Sequence, residues 1–412
     1  MRFLFVHQNF PGQFGHVAGH LARADGNRVM ALHYRAGLSI DRIETIQCTA
    51  GAPATGAIHP WVRQFDQQVR SGQATATRAH QLKRDGFTPD LIIGHPGWGE
   101  TLFLKDVWAN TPIVSYPEYY YGTQGADTGF DREFDPTDGE TAGRIRIKNS
   151  ANLHALVDAD RLWFPTEWQR STLPGNYRSR ATVIHDGIDT EAAQPDSSAW
   201  ISVETNQGTK VTFRPGDEVV TFVARNLEPP RGFHVFMRAL PAILAQRPKA
   251  QAIVIGGDEA GYGLPPKGGG TWRERMLAEL GSQLDLSRVH FVGKVAKPTF
   301  IKVLQVSAVH VYLTYPFIVS WSLLEAMSTG CRILASRTAP VTEFIDDGVN
   351  GTLFDFFRAD ALAAKAIEIL CNQNNYEAQR AAARQTILQR CDLRSVCLPA
   401  QLRMIEELTH RG

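Results

Sequence analysis

Short runs of aliphatic, β-branched and aromatic residues recur along the chain, and each is followed by a longer stretch whose apolar positions return every three or four residues. The first pattern belongs to strands buried on both faces and the second to helices that cover them. Their alternation predicts parallel sheets joined by crossover helices. In the first half the strand-like runs fall at 2–6, 28–32, 90–94, 112–115, 161–164 and 181–184. In the second half they fall at 219–224, 251–256, 289–292, 309–313 and 332–335, with helical patterns at 234–245, 272–280, 298–306 and 360–370.

Between the halves, residues 192–216 carry Pro195, Pro215 and many polar residues. Two alternating segments, Ile201/Val203 and Val211/Phe213, flank Asn206-Gln207-Gly208 there and predict a small hairpin. The expected organisation is a first Rossmann-like domain over 1–195, a linker over 196–216, a second Rossmann-like domain over 217–375 and terminal helices over 376–412. The fold class is α/β, with two doubly wound Rossmann-like domains facing across a cleft and a ligand at the carboxyl ends of their strands. The helical tail fits two placements equally, crossing back to brace the first domain or packing on the second.

Composition narrows the function. The 412 residues suit two α/β domains, and 43% hydrophobic with 21% charged residues is ordinary for a folded protein. A net charge of +1 argues against bulk binding of nucleic acid. The five cysteines, Cys48, Cys331, Cys371, Cys391 and Cys397, include no Cys-x-x-Cys pair and read as reduced thiols. The opening Phe3-Leu4-Phe5-Val6 is too short for a signal segment, and no later run reaches membrane-spanning length, so a soluble cytoplasmic protein is expected.

The richest chemistry lies in 309–335. Pro316 stops a strand, and Ser320 is placed to cap a short helix beginning at Trp321, with free amide groups from Ser320 to Leu323 facing a ligand phosphate. Glu325, about one turn further on, can accept two hydroxyl hydrogen bonds, as a ribose offers. A plain βαβ unit with a solvated glutamate fits the same pattern. In the segment 221–233, Arg225 and Arg231 flank a tight loop at a strand's carboxyl end, and forked guanidinium groups suit a diphosphate. Gly12, after the first strand, permits either a sharp turn or the close approach of a ligand. His95 and Glu118 each follow a strand and can shape an acceptor pocket, although a structural histidine and a surface glutamate are the commoner meanings.

Together these residues resemble a known family. Ser322-Leu323-Leu324-Glu325-Ala326-Met327 followed by Gly330, with Val183-Ile184-His185-Asp186-Gly187-Ile188-Asp189, is similar to the retaining family 4 (group 1) glycosyltransferases of GT-B fold. The opening Phe5-Val6-His7-Gln8-Asn9-Phe10-Pro11-Gly12 and Pro165-Thr166-Glu167-Trp168-Gln169 resemble a bacterial branch of it. The resemblance implies a hexosyl unit moved from a nucleotide diphosphate sugar to a glycan or lipid-linked acceptor, with Arg225 and Arg231 on the diphosphate and Glu325 on the ribose. It implies retention with no protein nucleophile, and no cofactor is expected; a peripheral contact with the cytoplasmic membrane face is the alternative reading of the basic residues Arg144, Arg146 and Lys148. Arg231 stands where the family usually has lysine. Phe317 stands where it has a first glutamate on the donor sugar, and Glu118 lies near where it has a histidine. Asp158-Ala159-Asp160 matches the metal signature of the other large glycosyltransferase fold, but it precedes a strand and reads as structural, so no metal is expected. A nucleotide-sugar epimerase of the same fold and a catalytically silent sugar-nucleotide-binding protein are the rival readings. A basic face at Arg144, Arg146 and Lys148 is spread too widely for one helical stripe, so a solvated helix is its commoner meaning.

Overall fold

Alternating side chains along the first strand decide how the N-terminal half packs. Phe3 and Phe5 enter one buried cluster with Val29, Ala31, Leu91 and Ile93, while Leu4 and Val6 enter another with Met30, Leu32 and Ile92. A strand with both faces apolar needs cover on both, so it lies mid-sheet. In the computed structural model, which describes residues 1–52, 56–205 and 208–409, this strand is β1 (Arg2–Val6). It is followed in the same sheet by β2 (Arg28–His33), β3 (Glu44–Gln47), β4 (Leu91–Gly94), β5 (Ile113–Ser115), β6 (Arg161–Phe164) and β7 (Ala181–Val183). Every pairing is parallel, and the order is β3-β2-β1-β4-β5-β6-β7.

The antiparallel hairpin pairs β8 (Ile201–Glu204) with β9 (Lys210–Phe213), in register from Ile201↔Phe213 to Glu204↔Lys210. Of its expected turn, Asn206 and Gln207 lie outside the described residues. The second parallel sheet comprises β10 (Val219–Asn226), β11 (Gln251–Gly257), β12 (Val289–Gly293), β13 (Val309–Tyr312), β14 (Ile333–Ser336) and β15 (Thr352–Phe354), ordered β12-β11-β10-β13-β14-β15. Its faces divide as in the first sheet: Val220, Phe222, Val254 and Val311 on one side, Ile253, Ile255, Ile333 and Ala335 on the other.

Two compact units result. One comprises Met1–Thr123, Thr137–Gly187 and Arg394–Gly412, and the other Gln124–Pro136 and Ile188–Leu393. Two features of this division were not legible in the pattern of the chain. The segment Gln124–Pro136, interposed in sequence within the first unit, belongs to the second. The terminal helices also part company. Helix Glu377–Arg390 contributes Ala383 and Ile387 to the second unit's core, and helix Leu398–Thr409 contributes Met404 and Ile405 to the first unit's. A single wide turn at Leu393–Cys397 separates them.

Candidate active site

In each sheet the strand order reverses at one place, beside β1 in the first unit and beside β10 in the second. Loops that diverge there from the carboxyl ends of strands leave a crevice suited to ligands. In the second unit the relevant loops follow β10 and β13. Arg225 sits near the end of β10, which runs two residues beyond the expected 224. Its side chain is exposed and makes no ion pair among the described residues.

Arg231 closes a short turn, Pro229–Arg231, and the left-handed Gly232 (φ 69°) then starts helix Phe233–Gln246. Only glycine fits here, because a Cβ would meet Leu313 at 2.3 Å. The Arg231 residue is 6% exposed. Its Nη1 donates to Thr314 Oγ1 at 3.0 Å and to the Ile318 carbonyl at 2.9 Å, and its guanidinium lies 5.0 Å from the Tyr262 ring centre. All of these partners are neutral, so a buried positive charge stands beside the sheet's crevice with no carboxylate in ion-pair range among the described residues. Burying a charge without a counter-ion is costly, and an incoming anion relieves that cost.

Tyr262 is held over this arginine by a device that pattern reasoning did not reach. Glu228 is buried, and its carboxylate accepts from the backbone amides of Gly261 (3.3 Å), Tyr262 (3.1 Å) and Gly263 (2.8 Å). The glycines let three successive amides converge; a Cβ on Gly261 would lie 2.6 Å from that carboxylate. The sequence signal, Gly-Tyr-Gly after a strand, is visible only once its partner 33 residues earlier is known. Phe317 packs edge-on against the same Tyr262 ring, with centroids 5.1 Å apart, and is buried.

Ser320 caps helix Trp321–Ser328 as expected, its oxygen accepting from Ser322 N at 3.2 Å. The free amides expected here are a correction. Ser320 N donates to the Tyr312 hydroxyl at 2.8 Å, and Leu323 N donates to Ser320 O at 3.1 Å. The cap and the Tyr312 hydroxyl thus take up the donors of Ser320, Ser322 and Leu323. The Leu323 side chain is fully buried in the core, while Trp321 is exposed. Glu325 is not a solvated glutamate either: it is 7% exposed and paired with Lys297 at the start of helix Lys297–Gln305. Burial raises its pKa, and Lys297 offsets only part of that.

In the first unit the loops after β1, β4 and β5 bring a polar chain together. His7 Nδ1 accepts from Asn9 N at 2.9 Å, which puts the proton on Nε2, where it meets Gln13 Oε1 at 2.9 Å. Gln13 Nε2 donates to Glu118 Oε1 at 3.0 Å. His95 is buried, its Nδ1 accepting from Gly97 N at 3.1 Å, so its Nε2–H is aimed at Glu118 Oε2, 3.5 Å away, too far for a good hydrogen bond. Gly12 adopts φ 48°, and a Cβ there would strike His7 Nε2 at 2.5 Å; the glycine makes room for the histidine.

Glu118 itself adopts φ 63°, an uncommon backbone state for a side-chain-bearing residue, and its carbonyl is pinned by Gln169 Nε2 at 2.7 Å. Burial pushes its carboxyl up, but His95, His7 and Gln13 together bring it below the usual range. Burial, then the neighbouring His95, lowers the pKa of His7 to about 3. The result is a neutral histidine, a bridging glutamine and an ionised carboxylate at the end of β5. That carboxylate can accept a hydrogen bond from a ligand hydroxyl. His95 and Glu118 are therefore neighbours, whereas the sequence placed each only at its own strand end.

Asp160, Arg144 and Lys148 have structural partners. Asp160 binds Lys105 at 2.9 Å and accepts from Ile113 N, which fixes the start of β5, and Asp158 ends helix Ser150–Asp158. Among the described residues no group of three or more histidine, cysteine, aspartate or glutamate side chains is arranged to hold a metal ion. Lys148 lies 3.5 Å from the Tyr121 ring centre and Arg144 pairs with Asp138, so the basic face is partly occupied within the chain. No helix among the described residues is long and apolar enough to cross a membrane.

Comparison with known proteins agrees with this geometry. Residues 25–193 match the profile of the "Glycosyl transferase family 4 group", and residues 204–386 that of "Glycosyl transferases group 1". The D-inositol 3-phosphate glycosyltransferase of Nocardia farcinica is 25% identical over 204 residues, 48% of this chain and 42% of that protein. A GDP-mannose-dependent phosphatidylinositol monomannoside mannosyltransferase of Mycolicibacterium smegmatis is 24% identical over 245 residues, 56% of this chain and 58% of its own length. The chain thus spans about half the length of the curated relatives it matches. In fold it is similar throughout to the sucrose-phosphate synthase of Thermosynechococcus elongatus (TM-score 0.71, 16% identity, 100% of both chains). The same holds for HepE of Anabaena, solved with UDP-glucose (TM-score 0.64, 17% identity, 100% of both). Two parallel sheets, each with its own crevice, and sequence matches that run through both halves lead to one family: the chain belongs to the family 4, group 1 glycosyltransferases of GT-B fold.

Proposed function

We propose that the protein moves a hexosyl unit from a nucleotide diphosphate sugar to a hydroxyl of a glycan or lipid-linked acceptor, with retention of configuration and without a metal ion. The observation that carries this reading is Arg231, a buried guanidinium whose partners are all neutral. A diphosphate supplies the missing charge, and the exposed Arg225 at the end of β10 supplies a second cation for it. In the reaction, the bond from the anomeric carbon to the diphosphate breaks and a bond to the acceptor oxygen forms on the same face. The acceptor's proton passes to a diphosphate oxygen. The protein's part is to stabilise the charge that grows on the leaving group, and the Arg231 guanidinium, buried and held by Thr314 and Ile318, does this with little reorganisation.

Glu325, buried and paired with Lys297, is the acceptor of two ribose hydroxyl hydrogen bonds. Glu118, with His95 behind it, orients the acceptor hydroxyl. Phe317 and Tyr262 offer the donor sugar an aromatic wall where a carboxylate would otherwise meet a hydroxyl. The curated relatives and the UDP-glucose complex of HepE favour a nucleotide sugar and leave the base open.

The test is to screen uridine- and guanosine-based donors against candidate acceptors and to read the product's anomeric configuration by NMR. Retention is expected. In Glu325→Gln the donor KM should rise about three- to tenfold, the worth of trading a charged for a neutral acceptor. Inversion, or an unchanged KM for every donor turned over, refutes the assignment.

A further inference from the structure

Behind Arg231 the structure carries a second buried cluster, built by the segment that sequence order assigns to one unit and contacts to the other. Asp131, in Gln124–Pro136, is 2% exposed. Its Oδ2 accepts from the Tyr315 hydroxyl at 2.8 Å and faces His234 Nε2 at 3.2 Å, and its Oδ1 accepts from Glu133 N at 3.0 Å. His234 and Tyr315 are themselves buried. The segment is fastened on either side of the aspartate. Phe130 packs against Tyr315 and Phe356, each 5.2 Å away, Phe134 against His234 (4.8 Å) and Trp272 (4.9 Å), and Glu133 grips Arg238 at 2.7 and 2.9 Å.

What makes this more than a packing detail is where the two partners of Asp131 lie. Tyr315 follows Thr314, whose hydroxyl holds the Arg231 guanidinium, and precedes Phe317 by two residues. Its own amide donates to the Pro230 carbonyl at 2.9 Å, next to Arg231 in the chain. His234 sits in the first turn of the helix that Arg231 leads into. One carboxylate therefore ties the loop after β13 to the first turn of the helix that Arg231 leads into. Burial alone would raise the pKa of Asp131, but His234 and Tyr315 hold it below the usual carboxylate range, so Asp131 meets both as a carboxylate. A buried carboxylate that meets donors from a loop and a helix fixes their separation more firmly than apolar contact does.

We propose that Asp131, through Tyr315, is a positioning residue for donor binding: it sets the loop Leu313–Val319 so that Arg231 meets the diphosphate. This rests on the donor-site reading given above. Both residues act through Arg231, which also stabilises the leaving diphosphate, so the expected signature is a loss of donor affinity together with a fall in turnover, while acceptor KM is retained. Removing the Tyr315 hydroxyl leaves its ring packed on Phe130 and Phe356, which makes Tyr315→Phe the mild variant. Asp131→Asn keeps volume but loses the charge that Tyr315 and His234 share.

The experiment titrates uridine diphosphate and guanosine diphosphate into wild type, Tyr315→Phe, Asp131→Asn, Glu133→Ala and Arg231→Met, with thermal melts and donor and acceptor KM and kcat on the same preparations. For whichever diphosphate binds wild type, Kd and donor KM should rise about three- to tenfold in Tyr315→Phe and further in Asp131→Asn. The kcat should fall alongside, the acceptor KM should stay within twofold, and Glu133→Ala, which loosens only the outer fastening, should leave Kd within twofold. Should Asp131→Asn fail to fold, Tyr315→Phe alone decides. If the folded variants bind the diphosphate as wild type does while Arg231→Met loses it, the positioning role is overturned and the donor site stands. A rise in donor and acceptor KM by the same factor would mark a general packing role and overturn it equally. If Arg231→Met also binds normally, the donor-site reading itself fails.

Discussion

Glu100 offers a test of the electrostatics in the first unit that is independent of substrate. It is 1% exposed, and neither of its carboxylate oxygens closes a hydrogen bond. Burial pushes its pKa up to about 8 from an ordinary 4.5, and the nearby amides of Glu100 itself and Trp98 offset only part of this. The folded protein therefore keeps a proton that the unfolded chain releases near pH 4.5. Stability contributed at low pH is lost as pH rises, until the folded carboxyl itself ionises near 8. From pH 4 to pH 7 the cost grows by about 3 kcal/mol. Glu100→Gln removes the titration while keeping the shape. Urea melts of both proteins at pH 4, 5.5, 7 and 8.5 isolate the effect, because any fixed difference between a buried amide and a buried acid is already present at pH 4. The stability difference should shift by about 3 kcal/mol in favour of the glutamine between pH 4 and 7 and change little above pH 8. A difference that does not vary with pH would refute the buried, protonated carboxyl.

Three further outcomes are expected. His310, buried in β13 with its Nδ1 on Thr221 Oγ1 at 2.9 Å, has its pKa lowered by burial to about 3. The unfolded chain gains a proton near 6.5 that the folded one refuses, so stability falls as pH drops through that window. In His310→Leu, where Thr221 keeps its bond to Ser307 (2.7 Å), about 2 kcal/mol of acid sensitivity at pH 5 should vanish from the melts; an unchanged pH profile would contradict this. Gly12→Ala should displace His7 and uncouple Gln13 from Glu118, raising acceptor KM more than donor KM in steady-state assays, with about 1–2 kcal/mol lost to the positive φ; equal changes in both KM values would count against it. Phe317→Glu places a carboxylate beside the Tyr262 ring that also covers Arg231, and should reorder donor-sugar preference in competition assays; an unaltered ranking would show that the aromatic wall does not read the sugar.

How much of this was legible beforehand follows from the range of each interaction. Strands buried on both faces and helices with long apolar stripes announced themselves, because both signals are local and repeat many times. The two omissions, β3 and β15, are edge strands of four and three residues. Glu44–Gln47 has only one aliphatic side chain, and Thr352–Phe354 is too short to show a period. Ser320 was found as a cap because capping is a rule about neighbours. The same locality misled the reading of its amides, since the Tyr312 hydroxyl that takes the Ser320 donor comes from the end of the preceding strand. Arg225 and Arg231 were identified by their place at a strand's end. That Arg231 is buried among neutral partners depends on Thr314, Ile318 and Tyr262, which no spacing rule links to it. His95 and Glu118 were each singled out, but the glutamine that joins Glu118 to His7 was not, for the contact spans 105 residues. Asp131 gave no sign at all, because its meaning rests on a segment that leaves its sequence neighbours for the other unit.

The central claim is that a nucleoside diphosphate is held by the buried charge of Arg231. Calorimetric titration of uridine and guanosine diphosphates into wild type and Arg231→Met tests it most directly, since methionine fills much of the space beside Tyr262 and removes only the charge and its fork. One of the two diphosphates should bind wild type, and Arg231→Met, still folded by its melting curve, should bind it at least thirtyfold more weakly, the ratio that corresponds to about 2 kcal/mol for the loss of a buried charged contact. A folded Arg231→Met that binds the diphosphate with wild-type affinity would contradict the account.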